Sequence, residues 1–237
     1  MEQSKAGYYA DFILFPLLIV GLGAREINSV HAIPYGWLFS LALGLLTWTI
    51  VEYGVHRFVL HAIEAVARLH EQHHATPGAY VGTPTWISLL CFALGGFTPA
   101  LILFGWEVAS GATIGLLFGY LWYLLVHDAV HRWHLQRGSL FYRTKIHHAR
   151  HHHAKVSGNF GVTSSFWDRV FGTHITPNIR RAVSFQLRRQ QSVSEMDKES
   201  PAHLSGGTSN RSAARMQSSE LYIVQEIIRG NSARARG

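Results

Sequence analysis

Cysteine is nearly missing from this chain: Cys91 stands alone among 237 residues. One cysteine excludes an intramolecular disulfide, and it argues against a structural metal cage built from thiolates. Charge is scarce as well. Asp, Glu, Lys and Arg make up 15% of the residues, where a soluble domain carries about 25%. Basic residues are not interleaved with aromatics, so the chain lacks a stacking platform for nucleic-acid bases, and no nucleic-acid partner is expected. No internal repeat of fixed period is present. The first apolar run has neither a strongly basic start nor a small-residue cleavage site, so no cleaved signal peptide is expected.

Apolar residues and histidine are what the chain does have. Hydrophobic residues make up 48% of it, and most of them precede residue 131. The net charge of +7 comes from the part after residue 131. An apolar half followed by a basic half points to a membrane protein with a cytoplasmic face. Residues 8–23 are apolar but broken by Asp11 and Pro16, and read as a weak span or an interfacial helix. Residues 34–60, 84–105 and 108–131 read as spans, since about 20 apolar residues cross the hydrocarbon core. Gly95, Gly96 and Pro99 mark expected kinks. Short turns are expected at 24–33 and 105–111. Arg57 and Arg68 lie in the connection 57–83. Arg132, Arg137, Arg143, Lys145, Arg150, Lys155 and Arg169 follow the last span. The positive-inside rule puts both segments, and with four spans both termini, in the cytoplasm. The Ser-, Arg-, Gln- and Gly-rich residues beyond 180 read as a disordered basic tail, in which Leu221–Ile228 could form a short amphipathic helix. The expected organisation is an N-terminal apolar helix at 1–33, a membrane domain at 34–180 and the tail at 181–237. The fold class is an all-α integral membrane protein of about four spans with a histidine-rich cytoplasmic cap.

Sixteen histidines are present, and most fall in clusters at the ends of the spans. His70, His73 and His74 have i, i+3, i+4 spacing. So do His148, His151 and His152, while His127 and His131 are at i, i+4. On a helix each set shares one face and can present its imidazoles to one point. His56 and His61 are five apart, about 140° of rotation on a regular helix. Either the helix breaks between them or they serve different metals. Ten imidazoles suit two ions rather than one, and imidazole suits iron, zinc, copper and nickel. Redox metals beside hydrocarbon point to oxygen activation and attack on an unactivated C–H bond. Asp128 and Glu71 could orient ligating rings, and Glu52 and Arg57 could pair. His31 reads as an interfacial residue and His203 as solvated. His134, His147, His153 and His174 read as neighbours of the clusters.

These residues resemble the fatty acid hydroxylase / sterol desaturase superfamily of membrane histidine-box oxygenases. The stretch Glu52–His61 is similar to the first histidine box of fatty acid 2-hydroxylases, His70–His74 to the second, His127–His131 to the third and His148–His152 to the last. Asn159-Phe160-Gly161 and Phe166–Thr173 also match a stretch common in the superfamily, so the resemblance covers roughly residues 40–175. The short gap between His61 and His70 is nearer the sterol-modifying branch. The wording of His127–His131 is similar to that of carotenoid hydroxylases.

The resemblance implies that His56, His61, His70, His73, His74, His127, His131, His148, His151 and His152 hold two iron ions, with zinc as a substitute in purified protein. It further implies that O2 and external electrons hydroxylate a membrane lipid, most of all a fatty acyl chain or acyl-bearing lipid. Loss of a second hydrogen would give desaturation instead. No His-Pro-Gly-Gly haem motif is present, so the resemblance implies a separate electron donor, a ferredoxin or a cytochrome b5 with its reductase. Competing readings are a sterol or carotenoid hydroxylase or desaturase and, from other classes, a histidine-rich protein that binds or transports metal without catalysis, or an inactive scaffold. Transport would require polar residues lining the spans, and few beyond Ser and Thr occur there.

Overall fold

The computed structural model describes residues 2–29, 35–154 and 156–176. His31, the tail at 181–237 with His203 and the segment Leu221–Ile228 lie outside the described residues. Those described form eight α-helices and two π-helical turns, with no strand. Helices α1 (Lys5–Tyr9) and α2 (Asp11–Ser29) come first, then α3 (Tyr35–Gly54), a π-helical turn Val55–Leu60 and α4 (Glu64–Ala75). Next come α5 (Thr85–Phe92), a second π-helical turn Ala93–Phe97, α6 (Thr98–Arg132), α7 (Leu140–His153) and α8 (Phe166–Val170).

Among the described residues, three helical stretches are long and apolar enough to cross a membrane: Lys5–Asn28, Tyr35–Leu60 and Thr85–Arg132. Their outer faces carry Ile13, Leu17 and Val20 on α2, Phe39 and Leu46 on α3, and Ile102, Leu103 and Phe104 on α6, all exposed. Apolar surface on this scale suits lipid and not water. The N-terminal stretch, expected to be weak, is a continuous apolar helix that runs through Pro16 to Ser29, so most of the turn expected at 24–33 is helical.

The third stretch doubles back on itself. Gly105 sits at φ 79°, ψ −179°, a conformation open only to glycine. Ser88 Oγ lies 3.0 Å from the Tyr120 hydroxyl, and the Phe92 and Tyr120 rings are 5.2 Å apart. On one straight helix residues 88 and 120 would be about 48 Å apart. The turn expected over 105–111 is thus made at Gly105, and α6 resumes at Trp106. The glycines expected to kink the chain, Gly95 and Gly96, fall in the second π-helical turn.

Helices α3 and α6 meet with almost no side-chain layer between them. Gly111, Gly115 and Gly119 form a stripe at spacing four. A Cβ at Gly111 would collide with Ser40 Oγ, at Gly115 with the Leu41 carbonyl, and at Gly119 with the Trp48 ring. Gly44 faces the Ala112 backbone in the same way. Small residues at this spacing let membrane helices pack backbone to backbone. Beside this seam Phe15, Trp48, Phe92 and Tyr120 bring α2, α3, α5 and α6 into one aromatic core. Buried Asp11 accepts from the Tyr120 hydroxyl at 2.5 Å.

This bundle brings the ends of α3 and α6 together, and α4 and α7 lie across those ends. The start of the chain is tied to the same side, where Gln3 N donates to the Tyr80 carbonyl at 2.8 Å. Arg132, at the end of α6, donates to the Gly78 and Ala79 carbonyls at 3.0 and 3.1 Å. Ser139 caps α7, its Oγ accepting from Tyr142 N, which sets the register of the histidines that follow.

Candidate metal centre

The spacing of His56 and His61 is resolved by the first π-helical turn. Hydrogen bonding of the i→i+5 type returns residues five apart to nearly one face. The two rings stack with centroids 5.2 Å apart and planes at 27°. The helix neither breaks nor sends the pair to different places; it widens by one residue.

Nine of the ten box histidines converge in two groups. His56, His61, His70, His74 and His151 form one; His73, His131, His148 and His152 form the other. Within each group one nitrogen per ring lies within 4.8 Å of the rest. The tenth, His127, packs against the second group, with its centroid 4.8 Å from His73 and 4.7 Å from His131. The groups adjoin, since His74 and His152 stack at 4.2 Å. The expectation that each three-histidine set points at one place is corrected. Helix α4 sends His70 and His74 to the first group and His73 to the second. Helix α7 sends His148 and His152 to the second and His151 to the first. One-residue steps turn a side chain by about 100°, so the third imidazole of each set reaches the neighbouring group.

The nitrogens meet at close range. Nε2 separations are 3.1 Å for His56–His70, His61–His151 and His70–His74, 3.2 Å for His73–His131, 2.9 Å for His131–His148 and 3.0 Å for His148–His152. Nitrogens about 2.1 Å from a common ion stand about 3.0 Å apart at right angles, so the spacing fits a ligand shell. Ring orientation fits too. His56 Nδ1 donates to the Phe160 carbonyl at 2.6 Å, and His151 Nδ1 to the Gly158 carbonyl at 2.8 Å. A carbonyl can only accept, so both rings carry their proton on Nδ1 and turn a bare Nε2 inward. Burial, and then neighbouring imidazoles, hold His148 well below the usual histidine range, and burial followed by nearby His151 and His61 takes His74 down to about 3. His73 falls to about 4 by burial and then by the charge of Arg132, and His151, chiefly by burial, also to about 4. Neutral imidazoles with inward lone pairs form the donor set a soft or borderline cation takes.

A loop between α7 and the end of α8 holds the first group in place. Asp168 is fully buried and accepts from Phe160 N at 2.8 Å, Gly161 N at 3.0 Å, Thr173 Oγ1 at 2.8 Å and the His147 ring at 3.2 Å. Burial pushes its carboxyl up, and these hydrogen bonds, led by that of His147, outweigh burial and bring it below the usual range. Asn159 sits at φ 56°, an uncommon conformation that Asn tolerates. Its side chain bridges the His147 carbonyl at 3.1 Å and Ile175 N at 2.8 Å. Glu52, buried in α3, accepts from Val162 N and Thr163 N at 2.8 Å and from Thr163 Oγ1 at 2.6 Å. Glu52 therefore does not pair with Arg57, which donates to the Tyr53 hydroxyl at 2.8 Å. Asp128 orients no ring of the two groups. It pairs with Arg132 at 2.8 Å and accepts from Tyr9 and Trp133. Glu71, His134 and His153 are exposed, and His147 faces Asp168 with the His174 ring stacked on it at 5.6 Å.

Residues 41–173, more than half of the chain, match a family described as fatty acid hydroxylase. The chain is 33% identical over 172 residues to the ceramide very long chain fatty acid hydroxylase SCS7 of Saccharomyces cerevisiae, covering 67% of this chain and 42% of that protein. It is 34% identical over 146 residues to a fatty acid 2-hydroxylase of Macaca fascicularis, covering 56% of this chain and 38% of that protein. A dihydroceramide fatty acyl 2-hydroxylase of Arabidopsis thaliana is 34% identical over 154 residues, which is 60% of this chain and 62% of the relative. The chain thus spans less than two thirds of the length of these relatives. A solved structure described as full-length scs7p, with only its hydroxylase domain visible, superposes with a TM-score of 0.63 at 26% identity. That match covers 73% of this chain and 68% of the other.

Proposed function

Because this chain belongs to the fatty acid hydroxylase family, we propose that it uses O2 to hydroxylate the acyl chain of a membrane lipid. One oxygen atom becomes the alcohol and the other leaves as water, with two electrons and two protons supplied from outside. The reading is carried by one observation: two adjoining histidine groups sit at the ends of apolar helices. His56, His61, His70, His74 and His151 would hold one iron, and His73, His131, His148 and His152 the other, with His127 beside the second. A pair of irons, when bound there, supplies O2 activation and the attack on an unactivated C–H bond. The chain's own residues do the placing. The Phe160 and Gly158 carbonyls fix two ring orientations, the Glu52 and Asp168 networks fix those carbonyls, and the apolar outer faces deliver an acyl chain from the bilayer.

In this reading the stretch Thr85–Arg132 crosses twice, folded at Gly105, so the protein has four crossings. Arg57, Arg68, Arg137, Arg143 and Arg169 support a cytoplasmic histidine end, by the positive-inside rule. A ferredoxin or a cytochrome b5 with its reductase delivers electrons there. An acyl chain, free or in a ceramide-like lipid, is the substrate supported by the names of the relatives.

Comparative lipidomics of cells with and without the chain tests the reading, together with iron analysis of the purified protein. Acyl lipids gaining one oxygen are expected, and His73→Ala or His148→Ala should abolish that gain. Unchanged lipids, iron-free protein from iron-replete cells, or full product from either variant would sink it.

A further inference from the structure

Helix α7 has a second working face. His148, His151 and His152 turn to the histidine groups, whereas Arg143, His147 and Arg150, at i, i+4 and i+7, share an adjacent face. That face walls a cavity of about 580 Å³ between the end of α6, α7 and the loop leading through α8. Trp122, Val126, Phe141 and Val162 give the cavity an apolar side, and Arg143, Arg150 and Arg169 give it a basic one. None of the ten box histidines lines it.

We propose that this cavity binds the phosphoryl headgroup of an anionic membrane lipid. Three arginines line it, and among the described residues no carboxylate pairs with any of them. The nearest acid in the loop, Asp168, has both oxygens engaged by His147, Thr173 and two backbone amides. Phosphoryl oxygens are the acceptors that arginine forks match best. A neutral headgroup would leave three like charges uncompensated in a half-enclosed space. The apolar wall selects an amphiphile over a free anion. Leu140 at the mouth is 77% exposed and Trp122 on the outer side of α6 is 50% exposed, so an acyl chain leaving the cavity runs along apolar surface. A basic pocket at the end of membrane helices is where anionic lipid heads lodge.

The test uses the full chain in nanodiscs of phosphatidylcholine doped with phosphatidylglycerol, followed by native mass spectrometry of the lipid that stays bound. The wild type should retain phosphatidylglycerol in preference to phosphatidylcholine. Replacing Arg143, Arg150 and Arg169 together by Gln should lower that retention about a hundredfold, roughly fivefold for each guanidinium. Bound metal should stay unchanged, which reports an intact fold. The exposed Arg169→Gln alone should give about a fivefold drop, and it serves if the triple variant does not fold. Equal retention of the two lipids by the wild type, or undiminished phosphatidylglycerol on a folded variant, overturns the proposal. So does displacement of the lipid by inorganic phosphate alone, which would make this a free-phosphate site.

Discussion

In the histidine group that includes His56, two rings are tied to backbone carbonyls through Nδ1, at 2.6 and 2.8 Å. In the group that includes His148, the Nδ1 atoms of His73, His148 and His152 are buried and find no protein partner among the described residues. The first group therefore takes its geometry from the loop 158–174, which reaches across from α7 to α3. The second takes its geometry from the packing of α4, α6 and α7 alone. Outer hydrogen bonds of this kind raise ligand basicity and metal affinity, each by about 10–100-fold. Two sites made of the same imidazoles should accordingly differ in how tightly they hold an ion.

Removing the loop's anchor should have the largest effect. Asp168→Ala strands four donors in a buried network and should cost about 3–5 kcal/mol of stability. A lower melting temperature is expected, with metal lost from the first group before the second; equal loss from both would break the comparison. Glu52→Gln is milder. It weakens the hold on Val162 and Thr163 and should lower metal affinity at the first group about 10–100-fold, read by chelator competition, while the second group keeps its ion. Gly115→Ala should cost about 1–3 kcal/mol, because its Cβ meets the Leu41 backbone and overpacked seams lose about that much. Helices α3 and α6 each serve one group, so both should weaken alike; a bias towards one would show that the seam does not orient the two sites together. The smallest effect is expected for His153→Gln. That ring is exposed, so melting temperature and metal per chain should stay as they are.

The long apolar helices were legible in the sequence because length and hydropathy are local properties. The histidine boxes were legible because helical spacing is local too. The join of His56 and His61 was not, since a π-helical turn differs from an α-helix by one hydrogen-bond register and leaves no compositional mark. Glu52 shows a second limit. Its partners Val162 and Thr163 stand 110 and 111 residues away, whereas the pairing expected with Arg57 lay nearby in sequence. Asp128, by contrast, turned to Arg132 one helical turn on, a pairing that i, i+4 spacing could have shown. The role of Asp168 rests on the closure of a loop, although its place in a recognisable stretch marked it for attention. Gly111, Gly115 and Gly119 are different. Their spacing of four inside an apolar helix is a readable sign of close helix contact, although only the fold shows that the partner is α3.

His73 and His151 each leave their own trio for the opposite group, and this exchange has a mechanical consequence. Helices α4 and α7 act as struts, each contributing histidines to both groups. Rotating either strut about its axis would pull a nitrogen out of one centre while driving others into the next. Neither helix can turn without disturbing both groups, and the gap between them is as stiff as the helices that span it. A chain built this way sets the separation of its two histidine groups before any ion arrives.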